Sequence, residues 1–86
     1  AGSTVGRGPL FFYSRLRSPR ATMVLHRWYR GDRLEHEATL SIRANPGIGY
    51  RIYSRKTMTA DSAGDWRVEL LTADGQLLHE QAFTVR

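Results

Sequence analysis

The 86-residue chain contains no cysteine. That excludes a disulfide framework and a thiolate zinc site, so packing alone must hold the fold. Long apolar runs are absent too: none approaches the length needed to span a bilayer, and the opening "AGSTVGRG" lacks the apolar stretch of a signal peptide. The expectation is one soluble domain, cut from a longer parent. Residues 1–8, with Gly6 and Gly8, read as a flexible lead-in in which Ala1, Gly2 and Ser3 have the look of a tag remnant, leaving residues 9–86 as the folded unit.

Acid is missing from residues 1–31, which hold Arg7, Arg15, Arg17, Arg20, Arg27 and Arg30, whereas residues 32–86 carry seven basic and eight acidic side chains. The basic character therefore sits in and around the first two expected strands. Such asymmetry suits a polyanionic partner: nucleic acid, an acidic glycan or anionic lipid headgroups. A charge run is more often a solvated face, and the near-absence of lysine, with Lys56 alone among 13 basic residues, is a skew that a GC-rich genome produces.

Catalytic signatures are absent as well. His26, His36 and His79 stand apart, without the spacing of a metal-binding pair, and there is no GxSxG elbow or phosphate-cradling glycine loop. Asp61, Asp65, Asp74 and Glu80 lie in or near turn signals, where capping explains them. His26 and Glu37 could face each other as an acid–base pair, but with no nucleophile they read as a surface ion pair. The expectation is a non-enzyme with no metal and no cofactor.

What is present is alternation. An apolar period near 3.6 never persists, while a period of two recurs between turn signals, so the chain reads as all-β. Strands are expected over Pro9–Arg17, Thr22–Arg30, Arg33–Arg43, Tyr50–Lys56, Trp66–Thr72 and Leu77–Val85, with "ANPGIG" and "MTADSAGD" as connections and Ala73-Asp74-Gly75 as the last turn. About six to seven short strands fit a small antiparallel β-sandwich of immunoglobulin-like type, with a closed barrel as the alternative. Trp66 and Phe83 are the expected core anchors.

The stretch "HRWYRGD" decides where the function-bearing side chains point. If Gly31 and Asp32 form a two-residue loop, Arg30 pairs with Arg33 and Tyr29 with Leu34. His26 then lies opposite Glu37, and Trp28 opposite Glu35, on an outer face. A three-residue loop would turn Trp28 and His26 inward. Glycine at the first central position suits a type II′ turn, which favours the shorter loop. Trp28 then becomes an aromatic platform ringed by His26 and Arg30, a surface that stacks a sugar or base. A second layer covering this face would instead make Trp28 core, as tryptophan usually is. "YRIYSRK" is a second candidate patch, with Arg51, Tyr53 and Arg55 on one face and Tyr50, Ile52, Ser54 and Lys56 on the other. Basic groups interleaved with tyrosines serve phosphate contact and stacking, or guard an edge strand against aggregation.

The ordered series "HRWY" with its Gly-containing turn, "YRIYSRK", "GDWRVELL", "DGQLL" and "FTV" resembles the bacterial family called domain of unknown function 2914. The resemblance spans residues 9–86, and His26, Trp28, Arg51, Ser54, Lys56, Trp66, Gly75 and Phe83 match its pattern. Gly31-Asp32 stands where that family is associated with Asn-Gly. The resemblance implies a small domain, often at the end of a longer bacterial protein associated with the cell envelope, and brings no catalytic residues.

Together these readings give an expectation: a non-catalytic module, periplasmic or envelope-associated with a cytoplasmic setting left open, that recognises a protein or an acidic or neutral glycan. Its ligand-binding residues would be His26, Trp28, Arg30, Arg51, Tyr53, Arg55 and Lys56. The rivals are a nucleic-acid-binding module built on the arginine-rich strands and a purely structural assembly domain.

Overall fold

The computed structural model describes residues 3–86, with Ser3, Asn45, Pro46 and Ile48 described by their backbone alone. The expected tag remnant at Ala1 and Gly2 lies outside the described residues. Seven strands follow one another: β1 (Ser3–Val5), β2 (Gly8–Ser18), β3 (Thr22–Arg30), β4 (Arg33–Ile42), β5 (Asn45–Met58), β6 (Gly64–Thr72) and β7 (Leu77–Val85). A single 3₁₀ turn, Ala60–Ser62, joins β5 to β6 and is closed by a reciprocal cap between Thr59 and Ser62.

Five strands form one sheet in the order β1-β7-β6-β3-β4, and β2 pairs with β5 in a two-stranded ribbon. The fold is an all-β sandwich, as the alternation requires, and its connectivity is immunoglobulin-like: β2 and β5 face a sheet whose central strands are β3 and β6. Every pairing is antiparallel except that of β1 with β7, where Ser3, Thr4 and Val5 lie beside Phe83, Thr84 and Val85. The lead-in expected over residues 1–8 is thus corrected over Ser3–Val5. Glycine-rich composition hides the one apolar residue, Val5, which packs against the core while its backbone continues the ladder with Arg86 N–H donating to Val5 C=O.

The "ANPGIG" loop is corrected as well. β5 begins at Asn45, which pairs with Ser18, and the ladder shifts between Leu16 and Ser18. Gly49, at φ +96°, lies opposite that irregularity, so its glycine signal marks a bulge in a strand rather than a connection.

The core fills the space between the layers. Phe12 and Ile52 come from the ribbon, and Val24, Trp28, Ile42, Trp66, Val68, Leu70, Phe83 and Val85 from the larger sheet. The expected anchors hold: the Trp66 and Phe83 rings stack with centroids 6.2 Å apart, and Trp66 Nε1–H donates to the Ser62 carbonyl at 2.7 Å. Trp28 is completely buried and meets Phe12 and Phe83 edge to face. Filling a β-sandwich core without a disulfide falls mainly to these aromatic rings, each of which removes a large apolar area from water.

Candidate functional site

The β3–β4 turn forms as its sequence suggests. Arg30 pairs with Arg33 and Tyr29 with Leu34, and Gly31 takes φ +58° while Asp32 does not have positive φ. One residue further on, the ladder shifts: Trp28 pairs with His36, and His26 with Ala38. Glu35 is the extra residue of this β-bulge. It turns inward beside Arg30 and leaves Leu34 exposed, so the apolar row of β4 runs through His36, Ala38, Leu40 and Ile42 without Leu34. The outward platform of His26 and Trp28 is thereby overturned. Both side chains have no exposed surface and point into the sandwich. The expected His26–Glu37 pair is also replaced, because Glu37 is held by Arg27 Nε at 2.7 Å.

His26 meets the ribbon instead. Its Nδ1 lies 2.7 Å from Ser54 Oγ on β5, and its Nε2 lies 3.0 Å from Ser14 Oγ on β2. Ser54 Oγ also accepts from Trp28 Nε1–H at 2.9 Å. Burial holds the His26 pKa down at about 4, so the ring is neutral near pH 7 and has one donor and one acceptor nitrogen. The arrangement that satisfies each of these groups has the Ser54 hydroxyl donating to Nδ1 and Nε2–H donating to Ser14. This is a polar bolt between two layers, not an accessible reaction centre.

Arg30 and Lys56, expected as ligand-binding, come together at one end of the sandwich over Trp66. The Arg30 guanidinium carbon lies 5.7 Å from the Trp66 ring centroid and Lys56 Nζ 5.9 Å. Glu35 Oε2 is 3.0 Å from Arg30 Nη2, and the Arg30 guanidinium also donates to the Asp61 carbonyl. With an anion already beside Arg30, this cluster seals the end of the core.

Arg51, Tyr53 and Arg55 are exposed on the outer face of β5, as the alternation of "YRIYSRK" requires. The ribbon register sets β2 residues directly across from them: Arg15 opposite Arg51, Tyr13 opposite Tyr53, and Phe11 opposite Arg55. Phe11, Tyr13 and Tyr53 are 41%, 59% and 55% exposed, and their ring centroids lie 5.7–6.0 Å from one another. Phe11 and Tyr13 were not anticipated, although "LFFYSRLR" carries the same alternation as "YRIYSRK": Leu10, Phe12, Ser14 and Leu16 point inward, Phe11, Tyr13, Arg15 and Arg17 outward. β2 and β5 hold five basic residues and no acid, while the rest of the chain balances eight basic against eight acidic residues. The ribbon therefore carries the whole net charge. Near Phe11, an apolar cleft of about 180 Å³ opens between β2 and β7, lined by Val5, Leu10, Phe12, Gln81 and Phe83. Among the described residues, no three His, Asp or Glu side chains gather as metal ligands would.

Fold and surface define a small all-β sandwich domain that presents a basic, aromatic ribbon. The family described as protein of unknown function (DUF2914) matches residues 21–85, and the chain belongs to it. No curated protein and no solved structure gives a match.

Proposed function

We propose that the chain is a non-catalytic binding module of a bacterial envelope-associated protein, and that it recognises an anionic glycan or protein through the outer face of β2 and β5. The observation that carries this reading is the coincidence of four exposed arginines, Arg15, Arg17, Arg51 and Arg55, with three exposed aromatic rings on one face of a ribbon that has no acid. Arginine and tyrosine are the residues most enriched where proteins make tight contacts, and arginine forks suit carboxylates. A neutral glycan fits less well, because β2 and β5 offer no carboxylate and no exposed described carboxamide to take its hydroxyls. The envelope setting draws on the family resemblance alone.

The test is retention on immobilised dextran sulfate at low salt, with the triple variant Arg15→Glu, Arg51→Glu, Arg55→Glu as comparison. All three side chains point to solvent, so the variant keeps the fold. The wild type is expected to be retained and the variant to flow through. Equal retention of both, or of neither, would discard the reading. The nucleic-acid alternative uses the same arginines with stacked bases, and oligo-dT binding tighter than any acidic glycan or protein would favour it. A purely structural domain would bind none of these.

A further inference from the structure

We infer that Arg15 and Arg51 form a built carboxylate site, and that the partner of the ribbon is a linear polysaccharide of acidic sugars. This rests on the anionic-partner reading above and names the chemistry of the same face. Two arginines directly opposite on paired strands repel each other, a cost the pairing bears unless an anion lies between them. The chain contains an internal comparison. Arg30 and Arg33 are also directly opposed, and there Glu35 stands 3.0 Å from Arg30. Among the described residues, no carboxylate pairs with Arg15 or Arg51.

The backbone is shaped for this pair. A Cβ placed on Gly49 would fall 2.7 Å from Arg15 Cγ and 3.1 Å from its Cδ. Gly49, at φ +96°, is thus the slot along which the Arg15 stem lies, and a side chain there would push it away. Gly49 is a positioning residue: it acts on a partner only through Arg15.

Beyond the arginine pair the ribbon presents Tyr13 beside Tyr53, then Phe11 beside Arg55. Successive outward residues on a strand are spaced by about 6.6 Å, so the Arg55 rung lies roughly 13 Å from the Arg15–Arg51 rung with the tyrosines between them. The order is charge, ring, charge. A chain of acidic sugars matches it, with carboxylates at the two arginine rungs and a flat sugar face on the tyrosines. Guanidinium forks bind planar carboxylates through two parallel hydrogen bonds, which an ammonium cannot do. Single-stranded nucleic acid matches less well. Phe11 and Tyr13 lie within 25° of parallel, but both are inclined to Tyr53, by 57° and 40°, so the three rings do not together offer parallel faces to a run of bases.

The experiment is calorimetric titration of the whole chain with polygalacturonate at fixed ionic strength. The principal variant is Arg15→Lys, Arg51→Lys, which keeps the charge and removes the forks. The wild type should bind, and the lysine variant should bind about tenfold more weakly, the effect of one lost charge-assisted hydrogen bond, while its retention on dextran sulfate stays unchanged. Gly49→Ala should weaken polygalacturonate in the same direction. If that variant fails to melt like the wild type, the lysine pair alone carries the test. Polygalacturonate bound equally by the lysine variant, or not at all while dextran sulfate is retained, would overturn the inference and leave the anionic-partner reading standing. Tighter binding to oligo-dT or to phosphatidylglycerol vesicles would overturn it too. Loss of all polyanion binding would remove both.

Discussion

The Ser54 hydroxyl lies 2.7 Å from His26 Nδ1, across the gap between the two layers of the sandwich. Because the same oxygen accepts from Trp28 Nε1–H, one ribbon side chain satisfies two buried groups of the facing sheet. Ser54→Ala leaves the Trp28 N–H and His26 Nδ1 without partners in a site closed to water. It should cost about 2–4 kcal/mol, from one or two buried polar groups left unsatisfied. Ser14 is only half-buried, so water can replace its hydroxyl, and Ser14→Ala should cost under about 1 kcal/mol. Urea denaturation of the two variants checks this order; equal losses would remove Ser54 from its central place.

Stability should depend on pH through His26. Its folded pKa, about 4, lies below the ordinary value of 6.5, so the unfolded chain takes up a proton at a pH where the folded chain does not. The contribution is full above pH 6.5, is lost as pH falls from 6.5 towards 4, and levels off below. A depression of this size amounts to about 3 kcal/mol. Urea midpoints between pH 7.5 and 4 should fall for the wild type and fall less for His26→Gln, carboxylate effects being common to both. Parallel profiles would mean that the ring protonates freely in place.

Tryptophan fluorescence reports the bulge directly. On a Trp66→Phe background, Trp28 should emit at short wavelength and resist iodide, since it has no exposed surface. A red-shifted, readily quenched Trp28 would restore the outward register. The Trp66→Phe change itself loses the hydrogen bond to the Ser62 carbonyl and lowers the melting temperature without altering this readout.

The same bulge explains what the sequence could and could not disclose. Strand positions and the Gly31-Asp32 turn were legible, because alternation and turn chemistry are local. The Tyr29–Leu34 pairing followed from them. Glu35 was not legible as an extra residue: "RLEHEATLSIR" alternates without interruption, and only the packing of Trp28 in a covered core shows that the phase changes beside Leu34. Half of the candidate site was readable for the same local reason. Arg51, Tyr53 and Arg55 share a face on any straight strand. Their neighbours Phe11, Tyr13 and Arg15 join them only because β2 pairs with β5 across the intervening hairpin, a long-range choice that no local pattern encodes.

The family match begins at residue 21, but the folding unit must reach further back. Among the described residues β5 pairs with β2 alone, and β2 supplies Phe12 to the core, Leu10 and Leu16 to its margin and Ser14 to His26. Losing a buried phenylalanine alone costs about 3–5 kcal/mol, against a total stability of roughly 5–15 kcal/mol for a domain. A chain of residues 21–86 would lose that ring and leave the long β5 strand unpaired on both edges. It should show no cooperative urea transition and a collapsed amide spectrum. Adding a peptide of residues 1–20 should restore native dispersion, since it returns the missing strand and ring together. A fragment that melts cooperatively by itself would show that β5 finds another partner, and that the ribbon on which the anionic face depends is not essential to the fold.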